Sequence, residues 1–209
     1  MAKFPKPVTK NCTKIIYDQM DNYFYVLQGK NGKLIFGFFS YIKCDNNKIP
    51  VLITDNKIIN DISDNLIDIS TNKIIEIDDI IFNDEKNEIA IIGIKENMIK
   101  NLNFLDLDER LYDEEFKLYS DEDSIYIIHY DNQNISVSYG IINNINNSEI
   151  RLSFSINSKF KMCPIFNLSN NKIIGILKYF SKCFNKGIFI NPLSSPGDVS
   201  IFYFSIFWC

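Results

Sequence analysis

One histidine, five cysteines and an acidic run are the groups in this chain with the means for acid–base, nucleophilic or metal chemistry. His129 stands within Ser124-Ile-Tyr-Ile-Ile-His-Tyr130, an apolar and aromatic run that predicts a strand and a structural imidazole. The cysteines are Cys12, Cys44, Cys163, Cys183 and Cys209. Their odd number and lack of C-x-x-C spacing fit neither a disulfide framework nor a zinc site. Asp106-Leu-Asp-Glu109 and Asp113-Glu-Glu115 fall in an acidic segment over 103–123. Its spacing does not match a calcium loop, so a solvated connector is expected, with no metal and no cofactor.

The elements that must position any site read mostly as strands. Tyr23–Leu27, Leu34–Ile42, Pro50–Thr54, Lys73–Phe82, Glu88–Ile94, Ser124–Tyr130 and Ile135–Ile142 are β-branched or aromatic runs. Ile58 and Ile59 are expected to continue the third of them. Gly29-Lys-Asn-Gly32 predicts a turn. Residues 1–12 are expected to be an extended arm, followed by one or two helical turns over Thr13–Met20. Phe154–Lys178 reads as a loop, a strand from Pro164, a polar turn at Ser169–Lys172, and a strand over Ile173–Leu177. Many short strands between turns point to an all-β sandwich or barrel.

Composition narrows the functional classes. A net charge of −4 argues against a nucleic-acid binder, which needs a basic patch. Asn-rich runs such as residues 143–147 are read as loops. The first residues have no apolar signal-peptide core, which predicts a reducing, cytoplasmic location and unglycosylated Asn11, Asn134, Asn146 and Asn167. The apolar tail Val199–Cys209 is too short to span a bilayer as a helix. A terminal strand or helix packed on the body is expected there, rather than contact with a membrane.

Three stretches resemble trypsin-like serine proteases, of the short intracellular kind found in A/T-rich microbial eukaryotes and large viruses. The family's nucleophile segment reads C-S-T-x-x-G-S-S-G-S-P-I and then N-x-x-x-x-K-V-I-G-I. Ser155, Pro164, Ile165, Asn167, Asn171, Lys172 and Ile174-Gly175-Ile176 keep that frame without a gap. Pro50-Val-Leu-Ile-Thr-Asp-Asn-Lys-Ile-Ile59 is similar to P-V-L-I-T-N-N-H-V-L, which carries the general-base histidine. Glu88-Ile-Ala-Ile-Ile is similar to the strand that follows the orienting aspartate. Gly37-Phe-Phe39, His129-Tyr130 and Gly187–Pro192 match further frame positions.

The resemblance implies two antiparallel six-stranded β-barrels. It divides the chain into an arm (1–12), a first barrel (13–105), the acidic connector (106–123), a second barrel (124–192) and the apolar tail (193–209). It also implies that the chemistry is lost. Lys57 stands at the base position, Glu88 at the carboxylate position and Lys161 at the nucleophile position. A protonated lysine cannot take a proton from a hydroxyl. Lys159, Phe160 and Met162 occupy the former oxyanion loop, where glycine lets the backbone approach a substrate. The expectation is an inactive pseudoprotease that holds a peptide or protein partner in the old cleft or along the strand Ile173–Leu177. The alternative is a peptidase rebuilt around Cys163 as nucleophile, which would need a lowered thiol pKa.

Overall fold

The computed structural model describes residues 7–32, 34–44, 47–61, 65–85, 88–109, 123–131, 134–146, 149–154, 163–181, 184–191 and 200–207. The chain forms two compact units, residues 21–106 and residues 1–20 with 107–209. Nearly every described element is a strand. Among the described residues no helix is long and apolar enough to cross a membrane.

The unit of residues 21–106 is built on a closed barrel. Its strands are β1 (Tyr25–Gln28), β2 (Leu34–Cys44), β3 (Asn47–Asp55), β4 (Asn65–Asp68), β5 (Lys73–Asp84) and β6 (Ile89–Ile94). They follow the order β1-β4-β5-β6-β3-β2, and β2 pairs back onto β1, closing six antiparallel strands. A seventh strand, β7 (Phe104–Leu105), adds to β2 in parallel. Leu27, Phe39, Leu52, Leu66, Ile75 and Ile92 belong to its apolar core, and their burial is what fixes the register. Gly37 lies where strands crowd: a Cβ there would meet the Ile53 carbonyl oxygen at 2.9 Å. The expected turn at Gly29–Gly32 is present, with Gly32 at φ +74° and its N–H donating to the Gly29 carbonyl at 3.0 Å.

Two expectations for this region are corrected. Ile58 and Ile59 do not extend β3; residues Asn56–Asp61 form a short 3-10 helix. The Asp55 carboxylate accepts the Lys57 N–H at 2.9 Å and turns the chain there. The opening helix, α1, runs Lys10–Asn22, so it starts before residue 13 and is longer than two turns. The Thr9 hydroxyl accepts the Cys12 N–H at 3.2 Å, a cap that sets the earlier start. Residues up to 20 group with the second unit rather than with the first barrel.

The other unit is a seven-stranded sheet: β8 (Ser124–Asp131), β9 (Asn134–Asn146), β10 (Glu149–Phe154), β11 (Cys163–Asn167), β12 (Ile173–Ser181), β13 (Phe184–Asn191) and β14 (Ser200–Phe207). The order is β10-β9-β8-β11-β12-β13-β14, with no pairing that closes it among the described residues. The expected second closed barrel is therefore not formed. Part of the apolar tail is the reason: β14 pairs with β13 along all eight residues, and β10 runs beside β14 instead of pairing with β13. The tail is a terminal strand, one of the two forms expected for it.

The β11–β12 hairpin matches the sequence reading. Its Asn-rich tip is a built turn. The Asn167 side-chain oxygen accepts the Ser169 N–H at 2.8 Å, and Asn171 adopts φ +58°. Helix α1 docks on this tip through Cys12 and Gln19, buried on one helix face with Ile16. The Tyr126 hydroxyl donates to Gln19 Oε1 at 2.6 Å, and Gln19 Nε2 donates to the Asn171 carbonyl at 3.1 Å. The Cys12 thiol donates to Asn171 Oδ1 at 3.0 Å.

One part of the acidic segment is not a solvated connector. Asp108 is 2% exposed, its N–H donates to the Ile173 carbonyl, and its Oδ2 accepts from Asn170 at 2.8 Å. The remainder, 110–122, lies outside the described residues.

Candidate functional site

Strand register brings two of the expected positions together. Asp55 at the end of β3 pairs with Ile89 at the start of β6. The next amide, Asn56 N–H, donates to the Glu88 carbonyl at 3.0 Å. Lys57, in the first turn of the 3-10 helix, and Glu88, at φ +58° before β6, are thereby neighbours. Lys57 Nζ stands 2.7 Å from Glu88 Oε1. The two side chains are 50% and 32% exposed, so water screens the pair. A carboxylate beside an ammonium favours the charged form of both groups. The pair is a fixed dipole at the barrel rim, without a general base.

Lys159, Phe160, Lys161 and Met162 lie outside the described residues. Cys163, the first residue of β11, is 6% exposed and opposes Leu177 of β12. Burial pushes its thiol far above the ordinary cysteine range. That is the reverse of what a nucleophilic thiolate requires. Neither Cys12 nor Cys163 is in a disulfide. His129 is buried in β8, with Nε2 2.9 Å from the Ser138 hydroxyl, as a structural imidazole would be.

The strand Ile173–Leu177 is not an open edge. It pairs with β11 on one side. On the other, Leu107 bridges to Ile173, and Ile176 and Leu177 pair with Ile188 and Gly187 of β13. An added peptide strand would have to displace those partners.

No sequence pattern points to the cavity of about 290 Å³ that lies at the start of α1. Thr9, Asn11, Cys12, Asp123, Asn167 and Asn171 are among its walls. These come from segments far apart in the chain and meet only through the docking of α1. Among the described residues no group of three or more His, Cys, Asp or Glu is placed to hold a metal ion.

No protein-family model and no curated protein matches the chain. The fold class and the local geometry therefore carry the functional reading.

Proposed function

We propose that this chain is a catalytically inactive relative of the trypsin-like serine proteases that works as a peptide- or protein-binding module. The observation that supports this best is the contact at 2.7 Å between Lys57 and Glu88. The two residues that stand in the base and carboxylate positions of the resemblance meet at adjacent ends of the third and sixth strands of a closed six-stranded barrel. Their meeting is what a protease frame with a replaced base would give, and an ammonium there cannot deprotonate a nucleophile. Burial of Cys163 weighs against the alternative built on a thiolate.

The test is activity-based labelling of the purified chain near neutral pH with a fluorophosphonate and, separately, with iodoacetamide. No fluorophosphonate adduct and only slow alkylation of Cys163 are expected. Fast, saturable modification that maps to Cys163 overturns the inactive reading, and a fluorophosphonate adduct on any serine does so too.

A further inference from the structure

Strand β5 leaves most of its length paired on one side only. Lys73–Glu76 are held by β4, whereas Ile77–Asp84 pair with β6 alone among the described residues. The ladder to β6 slips twice. Ile77 opposes Ile94, Ile80 opposes Ile92 and Phe82 opposes Ile91, so β5 carries one extra residue in each interval. Two bulges in succession break the in–out alternation, and Asp78, Asp79, Ile80 and Ile81 are all exposed. Gly93 makes room for the first bulge: a Cβ there would meet Asp78 Cβ at 3.1 Å and the Asp79 carbonyl at 3.4 Å.

The chemistry of this edge is one-sided. Glu76, Asp78, Asp79, Asp84 and Glu85 lie on or beside it, and no Lys or Arg occurs from 74 to 85. Lys95 reaches Glu76 at 3.5 Å. Between the acidic pairs, Ile80 and Ile81 are 44% and 41% exposed. Charges and bulges alone would serve to keep other strands away. Two adjacent exposed isoleucines on the same unpaired edge work against that purpose, because they reward whatever covers them.

We propose that the β5 edge over Asp78–Asp84 is a docking surface for an extended segment of a partner protein in which Lys or Arg alternates with β-branched residues. Backbone groups of the edge supply strand pairing, the isoleucines supply apolar contact, and the carboxylates select for basic side chains. The surface is separate from Lys57 and Glu88 and does not depend on any relation to proteases.

A fluorescent heptapeptide, Lys-Ile-Lys-Val-Lys-Val-Lys, tests this by anisotropy against the full chain, with Glu-Ile-Glu-Val-Glu-Val-Glu as the counterpart. The lysine peptide is expected to bind saturably, more weakly as salt is raised, and to slow amide exchange over Ile80–Asp84. The glutamate peptide is expected not to bind. The double variant D78K/D79K, at exposed positions and checked for an unchanged far-ultraviolet spectrum, should weaken binding about tenfold or more. N-methylation of alternate peptide amides should abolish binding, which separates strand pairing from charge attraction alone. No binding, equal binding to D78K/D79K, binding that survives N-methylation, or exchange protection elsewhere in the chain would each overturn the proposal.

Discussion

In one unit the third strand, β3, pairs with the sixth, β6, from Val51 to Asp55 and from Gly93 to Ile89. In the other, the strands in the same two places are β10 and β13, and they do not pair among the described residues. The remaining neighbour relations agree: first with second, second with third, first with fourth, fourth with fifth and fifth with sixth. The two sets of six strands thus share one order and part at one seam. A sheet closes when its two edges have only each other to pair with. After β6 comes a 3-10 helix at Glu96–Asn101, which cannot pair along it. After β13 comes β14, whose Ser-Ile-Phe-Tyr-Phe-Ser-Ile-Phe sequence is strongly strand-forming. Closure is therefore decided by the segment beyond the sixth strand as well as by the six strands themselves.

Core truncations should sharpen this contrast most. Phe39 is fully buried in the closed barrel, edge-on to Tyr25 with ring centroids 4.7 Å apart. Phe166 is fully buried in the open sheet, stacked on Tyr126 at 4.7 Å. A closed barrel collapses less readily around a cavity, so Phe39→Ala is expected near the upper end of the roughly 3–5 kcal/mol typical of such truncations, and Phe166→Ala near the lower end. Urea unfolding of each variant measures the difference. Equal losses would mean that the seam does not soften its sheet.

The next effect comes from the buried polar network of the open unit. Tyr126→Phe removes the hydroxyl that donates to Gln19 Oε1 and leaves that acceptor buried. The expected cost is about 1–3 kcal/mol, read from the urea midpoint. The same network predicts a pH dependence. Burial raises the pKa of Tyr126 and of Cys163, and smaller upward shifts fall on Cys12 and Tyr139. The folded state holds these protons more tightly than the unfolded state does. The resulting stability is present in full below the ordinary cysteine value of about 8.5 and is lost as pH rises above it. The slope is at most about 1.4 kcal/mol per pH unit for each group. Unfolding midpoints at several alkaline pH values should fall more gently in Cys163→Val, which removes one of those groups.

How much of this is legible in the sequence depends on the range of the interactions. Ile173–Leu177 and Ser124–Tyr130 announce strands because β-branched residues run without a break, and both are strands. The turn at Gly29–Gly32 is local and readable. Strand β4 is not, because only Leu66 and Ile67 mark it within the polar stretch 61–72. The start of α1 depends on a single Thr9 cap beside Pro7, which reads as an extended arm. Asp108 sits in an acidic run, and only its bonds to Asn170 and Ile173 distinguish it from solvated neighbours. The open seam is the least local feature of all, since it turns on β14 reaching β13 across 192–199.

The smallest expected effect concerns the pair on which the functional reading leans. Lys57 and Glu88 are close, yet half and one third exposed, so their attraction should contribute about 0.2–1 kcal/mol. Glu88 also holds φ +58°, a conformation that costs a side chain bearing a Cβ about 1 kcal/mol relative to glycine. The two terms nearly cancel. Lys57→Gln should therefore destabilise by less than about 1 kcal/mol. Glu88→Gly, which loses the pair but relieves the backbone, should be close to neutral. A double-mutant cycle on Lys57→Gln and Glu88→Gln isolates the coupling, because both changes leave the backbone alone. A coupling well above about 1 kcal/mol would mean that the rim holds the pair more firmly than its exposure allows, as a shape kept for a ligand would. A coupling within the surface range would make the pair a consequence of the β3–β6 register, and binding would then have to be sought away from the old centre, beginning with the β5 edge.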